Sequence, residues 1–237
     1  MDARQLYQAG RLAEAIQAVG AELRNDPGDA KRRTFLFELL CFAGDYDRAG
    51  KQLDILAQGG PQSELGTLLY RAAIQAERQR HELFRSGDLP KPAGEAAVPA
   101  VRGGTLDGKP FESLEDADPR IGARLEVFAG GNYLWISFGH IESVRISPPK
   151  RLRDLLWVPA VVRLGPQMKD TDLGEVLLPA LCPFSWLHPD DTVRLGRQTV
   201  WAEQEGGEVV PLGQKLFLAG GEEHAVLDIR EIEFGSA

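Results

Sequence analysis

Apolar residues recur at helical spacing through the first 86 residues of the chain. They run from Leu6 to Leu23, from Phe35 to Phe42, from Leu53 to Leu56 and from Leu65 to Phe84. Because side chains three and four positions apart share one face of an α-helix, this pattern predicts five amphipathic helices. Residues 1–86 are therefore predicted to form a helical domain.

Two stretches of this region match each other at an offset of 34 residues. The matched positions are a glycine, an alanine, an apolar residue and a proline: Gly10 with Gly44, Ala15 with Ala49, Val19 with Leu53, and Pro27 with Pro61. The glycines are predicted to end first helices, the alanines to let two helices cross closely, and the prolines to stop second helices. This period is typical of the tetratricopeptide repeat, whose stacked units present a groove to a partner. The pattern favours a binding protein over a catalyst, with a plain helical bundle as the alternative.

The chain changes character after residue 86. Residues 87–110, rich in Gly, Pro and Ala, are predicted to be a linker. From 111 to 237, short runs of β-branched and aromatic residues predict strands at 124–128, 133–138, 158–164, 175–178, 193–200, 209–218 and 225–234. Residues 129–132 (Ala-Gly-Gly-Asn) are predicted to be the turn of a hairpin.

The predicted fold class is α+β, with N-terminal tetratricopeptide-like helical hairpins packed on a C-terminal, mostly antiparallel, strand-rich domain. Two repeats alone bury too little apolar surface to be stable, since about three are normally needed. The strand-rich domain is therefore expected to cap the helices.

Charge is unevenly distributed along the chain. Residues 1–86 carry 12 Lys+Arg and 12 Asp+Glu, whereas residues 87–237 carry 15 and 23 and supply the net charge of −8. An acidic protein without an extended basic face is a poor candidate for nucleic-acid binding. Arg145, Lys150, Arg151 and Arg153 are interpreted as a solvated or salt-bridged turn, with a phosphate-binding patch as the alternative.

The sequence indicates a cytoplasmic protein. The N-terminus predicts a polar helix without an apolar signal segment, and the charge-free run from Val176 to Pro189 is too short and too proline-broken to span a bilayer. Cys41 and Cys182 lie in unrelated apolar contexts and suggest no disulfide framework.

Candidate reaction chemistry is sparse. The four histidines are far apart, and the sequence has no nucleophile elbow, phosphate-binding loop or dinucleotide fingerprint. Asp116 and Asp118 could pair two carboxylates, but Asp118 followed by Pro119 and Arg120 is better interpreted as a helix-ending turn with a capping or ion-paired carboxylate. We expect no enzymatic activity, metal or cofactor; the alternative is a hydrolase or metal-dependent enzyme using Asp107, Asp116 and Asp118.

A series of motifs in the second half of the chain resembles one protein family. The motifs include Gly104-Thr105-Leu106-Asp107-Gly108, Asp116-Ala117-Asp118, Gly131-x-Tyr133-x-Trp135, Leu152-Arg153-Asp154-Leu155-Leu156-Trp157, Leu195-Gly196-Arg197-x-Thr199-x-Trp201 and Asp228-Ile229-Arg230-Glu231-Ile232. In this order and density they resemble the ImpE family, the SciE-type or TagJ accessory proteins of bacterial type VI secretion. The family's N-terminal half is also tetratricopeptide-like.

This resemblance implies a non-enzymatic adaptor. Family members bind the N-terminal helix of the small subunit of the contractile sheath and are linked to the ClpV ATPase that disassembles the sheath. We therefore expect the sheath helix and ClpV as partners, with no nucleic acid and no membrane insertion. The alternative is a repeat-based chaperone or scaffold for another complex.

The sequence departs from the family pattern at three positions. Cys182 stands where the family leads us to expect Tyr, Phe184 where we expect Gly, and Val200 where we expect Asp. The linker also stands where many relatives have another helix pair, so the third repeat is expected to be cut short.

Two sets of site residues follow. First-helix residues line the concave side of stacked repeats, so the predicted partner-binding groove comprises Tyr7, Glu38, Phe42, Leu68, Ala72 and Gln75. The second set is predicted to be structural, tying turns to strand ends through charge-assisted hydrogen bonds: Asp116, Asp118, Arg120, Arg153, Asp154 and Arg197.

Overall fold

Five α-helices occupy the first 86 residues in the computed structural model, which describes residues 1–90, 103–168, 173–204 and 206–235. They are α1 (Ala3–Gln8), α2 (Leu12–Asn25), α3 (Ala30–Phe42), α4 (Tyr46–Ala57) and α5 (Pro61–Ser86). The aspartates before α1, α3 and α4 accept hydrogen bonds from backbone N–H groups of the first turn. These caps explain where the helices begin.

The 34-residue match corresponds to two helical hairpins. Gly10 and Gly44 follow the first helix of each hairpin with φ of 76° and 70°, a conformation that favours a residue without Cβ. Ala15 and Ala49 are completely buried where the helices cross. Pro61 differs from its predicted role, because it begins α5 rather than stopping α4.

The rest of the chain forms antiparallel sheets. The strands are β1 (Gly104–Leu106), β2 (Lys109–Phe111), β3 (Leu114–Asp116), β4 (Arg124–Ala129), β5 (Asn132–Ser137), β6 (Ile141–Ile146), β7 (Trp157–Leu164), β8 (Glu175–Pro179), β9 (Thr199–Glu203), β10 (Val209–Gly213), β11 (Leu216–Ala219), β12 (Glu222–Ala225) and β13 (Glu231–Phe234). The main sheet has the order β2-β1-β13-β6-β7-β8-β4-β5; smaller sheets have the orders β12-β11-β3 and β10-β9. The short helix α6 (Asp191–Arg194) and four 3-10 helices, including Leu152–Leu155 and Ser185–Leu187, connect them.

Several predicted boundaries are wrong. The predicted linker 87–110 contains β1 and part of β2, so the strand-rich domain begins before residue 111; residues 91–102 lie outside the described part of the chain. Residues 193–200, predicted to be one strand, contain instead the end of α6, a turn and the start of β9. Residues 209–218, also predicted to be one strand, contain β10 and most of β11. β3 and β6 were not predicted, because two of the three residues of β3 are charged, and Glu142 and Arg145 interrupt the apolar residues of β6.

The hairpin prediction is confirmed. β4 and β5 pair from Arg124–Ser137 to Ala129–Asn132, and Gly130 and Gly131 turn the chain with φ of 56° and 82°.

The helices and one face of the main sheet share one apolar core. It joins residues of all five helices to Phe128, Trp157 and Leu177 of the sheet, whereas the other face of the sheet has its own core around Phe138 and Phe217. The predicted packing of the strand-rich domain on the helical hairpins is therefore confirmed. Among the described residues, no helix is long and apolar enough to cross a membrane.

Candidate partner-binding surfaces

The strand-rich domain occupies much of the predicted groove. Arg153, from the 3-10 helix Leu152–Leu155, donates to Glu38 Oε1 at 3.0 Å and to the hydroxyl of Tyr70 on α5. Its guanidinium also lies 4.5 Å from the centre of the Tyr70 ring. The concave side between α3 and α5 is therefore filled by the protein's own second half.

For Phe42 the groove prediction is wrong. Phe42 has no exposed surface and Glu38 is buried in its ion pair with Arg153. The physical reason is that two repeats leave an apolar concave face uncovered, and the strand-rich domain covers it. Phe42 is a core residue instead.

The other four predicted groove residues remain at least partly accessible. Leu68 and Gln75 are exposed on α5, and Ala72 lies against the β4–β5 turn at Gly131. Tyr7 is half-buried beneath the guanidinium of Arg197, which lies 4.8 Å from the centre of its ring. These residues do not form one continuous groove, because the strand-rich domain separates Tyr7 from the α5 residues.

An apolar stripe remains open on the N-terminal half of α5. It consists of Leu65, Leu68 and Leu69, which are 72%, 51% and 49% exposed. Positions three and four apart lie on one side of a helix, so these leucines are neighbours. Arg71, three residues after Leu68, borders the stripe and pairs with Asp54 of α4. The three leucines themselves are exposed, so a partner helix could pack on them as a further helix does in a longer repeat stack.

A second open surface is a cavity of about 430 Å³ beside α1 and α3, here called the basic cavity. Its lining residues are Arg4, Tyr7, Gln8, Lys31, Thr34, Phe35, Glu38, Arg151, Leu152 and Arg153. Two predicted groove residues, Tyr7 and Glu38, are therefore brought together there with residues of the 151–153 turn. The turn covers only part of α3, which leaves this end of the concave side accessible.

A network of five buried charges, the interlayer network, holds α5 to the sheets. Arg80 donates to both oxygens of Glu126 on β4, at 2.7 and 2.9 Å, and to Glu77 at 2.9 Å. Lys215 Nζ lies 2.6 Å from Glu126 Oε2 and also contacts Asp116. Charged side chains are retained in a protein interior only when they are paired. The network therefore fixes the position of α5 relative to the sheets.

The network perturbs the pKa values of its carboxyl groups. Burial alone would raise the pKa of Glu77 and of Glu126, but Arg80 lowers both to about 2, with Lys215 assisting at Glu126. Burial raises the pKa of Asp116 to about 6 despite Lys215, because the Glu126 carboxylate adds repulsion. Asp116 is therefore the most easily protonated member of the network.

Aromatic side chains complete the surroundings of the network. Trp157 Nε1 donates to Glu77 Oε2 at 3.0 Å, and the Tyr133 hydroxyl donates to Glu126 Oε1 at 2.5 Å. Every carboxylate oxygen of Glu77 and Glu126 thus has a described hydrogen-bond donor.

Three of the residues predicted to be structural, Asp118, Asp154 and Arg197, lie outside the α-helices and strands. Asp118, which follows a strand rather than a helix, accepts from the Arg120 backbone N–H at 3.1 Å and from its guanidinium at 2.6 and 2.8 Å. Asp154 accepts from the backbone N–H groups of residues 150 and 151 at 2.8 and 2.9 Å. Arg197 donates to the Tyr7 and Gln8 carbonyls at 2.7 and 2.8 Å, which ties the strand-rich half to α1.

The three aspartates of the alternative enzymatic hypothesis have separate partners. Asp107 accepts from the backbone N–H groups of residues 230 and 231, Asp116 contacts Lys215, and Asp118 pairs with Arg120. Within the described ranges, no group of three or more His, Cys, Asp or Glu side chains is arranged to hold a metal ion.

Of the interlayer network, only Asp116 was predicted from the sequence as a structural residue. Glu77, Arg80 and Glu126 carry a detectable signal, since each interrupts an apolar helix face or strand and a buried charge requires a partner. Which charges meet is not readable from spacing, because Arg80 and Glu126 are 46 residues apart.

Comparison with known proteins identifies the family. The sequence model described as ImpE protein matches residues 108–233. The chain belongs to the ImpE family. It is 34% identical over 265 residues to the Type VI secretion system accessory component TagJ of Pseudomonas aeruginosa, covering 99% of this chain and 91% of that relative. The X-ray crystal structure of protein VPA1032 from Vibrio parahaemolyticus has the same fold, with a TM-score of 0.87 at 21% identity over 99% of this chain and 98% of the other.

The ImpE match and the structure together explain the position of the interlayer network and the backbone conformation of Phe184. The matched range includes Asp116, Glu126 and Lys215 but begins after Glu77 and Arg80, so the interlayer network joins the ImpE region to the helices before it. Phe184, where the family resemblance leads us to expect glycine, has φ of 62°, a left-handed conformation that glycine adopts freely. Its ring stacks on His81 at 5.1 Å between ring centres.

Proposed function

We propose that the protein is a non-enzymatic, cytoplasmic accessory component of a type VI secretion system. In this proposal it is an adaptor that binds the N-terminal helix of the small sheath subunit and links the sheath to its recycling by the ClpV ATPase. The family membership and the name of the Pseudomonas aeruginosa relative support the secretion-system role. The apolar stripe on α5 supports helix binding.

The stripe carries the proposal because its spacing matches that of a partner helix. An amphipathic helix docks through apolar residues at positions three and four apart, the same spacing that places Leu65, Leu68 and Leu69 side by side. The three leucines are large, apolar and adjacent, and an exposed apolar patch of this kind marks an interaction site. A partner helix lying along the stripe would take the place of the next helix in a repeat stack.

Packing alone supplies enough free energy for such binding. Fully burying a leucine side chain contributes roughly 1.5 to 3 kcal/mol, and the stripe leucines are about half or more exposed before binding. The partner's apolar residues add a similar amount, which is partly offset by lost translational and rotational freedom. Affinity in the micromolar range or tighter is expected, with only modest weakening by salt because the contact is apolar.

Calorimetric titration of the sheath subunit's N-terminal helix into the full-length protein tests the proposal. Leu68→Glu places a charge in the middle of the stripe and is expected to weaken binding by at least about tenfold, or roughly 1.4 kcal/mol. Leu187→Glu is the matched control, because Leu187 is also an exposed leucine but lies in the 3-10 helix Ser185–Leu187. Its binding is expected to equal that of the unmodified protein.

Two results would contradict the proposal. If the sheath helix does not bind at all, the partner is wrong and a scaffold for another complex becomes the better interpretation. If it binds equally to the Leu68→Glu protein, the stripe is not the binding surface. The link to ClpV is tested separately, by asking whether the purified ATPase is retained on the immobilised protein with and without the sheath helix.

A further inference from the structure

We propose that the basic cavity is a second docking site, which binds an acidic segment of a protein partner. This site lies on α1, α3 and the 151–153 turn, away from the stripe on α5. It goes beyond the proposed function because it needs neither the sheath helix nor the stripe.

Cations dominate the lining of the cavity. Arg4, Lys31, Arg151 and Arg153 all contribute to it, and Glu38 is the sole carboxylate among the described lining residues. Arg153 already neutralises Glu38 at 3.0 Å. Among the described residues, no ion pair involves Arg4, Lys31 or Arg151. With four cations and one carboxylate, the lining residues carry a formal net charge of +3 in a protein whose net charge is −8, and such a local excess attracts anionic groups.

Two further carboxylates act on lining residues, Asp29 on Lys31 and Asp154 on Glu38, but each is held by other donors. Asp29 accepts from the backbone N–H and the guanidinium of Arg32. Asp154 follows the 151–153 turn, but one of its oxygens is occupied by the backbone N–H groups of residues 150 and 151. Asp154 is also largely buried, whereas Arg4, Lys31 and Arg151 are exposed. The positive side chains are therefore exposed to solvent, whereas the Asp154 carboxylate is held by the turn.

The walls of the cavity suit amino-acid side chains better than a bare anion. Tyr7 and Phe35 meet edge to face with ring centres 5.9 Å apart, and the guanidinium of Arg4 lies 5.2 Å from the centre of the Phe35 ring. Leu152 adds an aliphatic surface. A volume of about 430 Å³ is within the size of ordinary ligand sites and is much larger than a phosphate ion needs. Alternating cationic and apolar contacts fit a peptide in which acidic residues are mixed with apolar ones.

The position of the basic cavity on α1 and α3 also supports a peptide as its ligand. α1 and α3 are the first helices of the two repeat units, and first-helix residues line the face that repeat proteins present to partners. The strand-rich domain covers this face farther along α3 and leaves the cavity open at the α1 end. The 151–153 turn then supplies two arginines that the helices alone would not provide.

The probe for the test is a fluorescein-labelled peptide of about 12 residues in which Glu and Asp alternate with Leu; the reference peptide replaces each acid by Gln or Asn. Binding to the full-length protein is measured by fluorescence anisotropy. The acidic peptide is expected to bind, the neutral reference to bind at least about tenfold more weakly, and binding to weaken markedly between about 50 and about 300 mM salt.

The Arg4→Gln/Lys31→Gln variant is expected to lose at least about tenfold in affinity for the acidic peptide. Its matched control is Arg24→Gln/Lys51→Gln, which removes two exposed cations outside the cavity and is expected to change affinity less than about twofold. Leu68→Glu is expected to leave this binding unchanged, so failure of the stripe proposal and failure of this one are distinguishable.

Three outcomes would overturn the inference. Equal loss in the cavity variant and its control would indicate non-specific attraction. Equal binding of the acidic and neutral peptides would remove the charge argument. Displacement of the peptide by inorganic phosphate at constant ionic strength, or cavity-dependent binding to phosphatidylserine vesicles, would assign the site to phosphate groups instead.

Discussion

Lys215 offers the sharpest test of the interlayer network, because its ammonium contacts both Asp116 and Glu126 in the interior. The Lys215→Met substitution keeps a side chain of similar length and removes the charge. Glu126 retains both hydrogen bonds from Arg80. Asp116 retains the backbone N–H of Asp118 at 2.9 Å but loses its cation. The variant therefore leaves one carboxylate buried without a counter-charge.

The expected loss of stability is large. Breaking a buried ion pair by removing one partner costs about 3 to 5 kcal/mol, because the remaining charge is left uncompensated. Little of this is lost packing, since exchanging a long aliphatic stem for Met changes volume only slightly. Domains are commonly stable by only about 5 to 15 kcal/mol, so the variant should remain folded while unfolding at clearly lower urea concentration.

The loss of stability caused by Lys215→Met should also depend on pH, and the direction of this dependence follows from the pKa of Asp116. The pKa of Asp116 is raised from 3.8 to about 6 in the folded protein, so its contribution to stability falls as pH rises through this interval. Without Lys215 the pKa of Asp116 rises further, and the interval extends upward. The difference in unfolding free energy between the two proteins should therefore grow above about pH 6, by up to about 1.4 kcal/mol per pH unit.

Urea unfolding followed by tryptophan fluorescence, at about pH 5.5 and about pH 7.5, measures both effects. Lys109→Met, an exposed lysine, is the control and should change stability by less than about 0.5 kcal/mol. Adding Asp116→Asn to Lys215→Met removes the buried charge and should recover part of the loss and its pH dependence. A loss below about 1 kcal/mol that is the same at both pH values would refute the role assigned to the network.

Three further outcomes are expected. Phe42→Ala should lower the free energy of unfolding by about 3 to 5 kcal/mol in urea titrations, as expected for a core phenylalanine. A negligible loss would indicate that Phe42 belongs to the binding surface instead. Gly44→Ala should lower the melting temperature measured by calorimetry, because a Cβ there would overlap the Trp186 ring and the φ of 70° strains any other residue. With pKa values lowered from 4.5 to about 2, Glu77 and Glu126 stabilise the fold above about pH 4.5, and this contribution should be lost as pH falls toward 2; flat urea midpoints across that interval would contradict it.

Much of the architecture is determined locally and could be predicted from the sequence. Helical periodicity, the glycines at positions 10 and 44 and the Gly-Gly hairpin turn each depend on interactions within a few residues. The strands that carry charged residues, such as β3 and β6, escaped prediction because their partners in the sheets decide their burial. The ImpE resemblance was also readable, since it rests on the order of motifs along the chain.

The binding surfaces depend on tertiary structure. Repeat periodicity placed Glu38 and Phe42 on a concave face, but only the folded protein shows that Arg153, more than 100 residues away, covers part of that face. The same packing gathers Arg4, Lys31 and Arg151 around one cavity and leaves Leu65, Leu68 and Leu69 open. Sequence spacing fixes which side of its own helix a residue occupies. Whether that side meets solvent or another layer is decided by contacts between distant segments, whose pairing is set by the burial of apolar surface and the matching of buried charges.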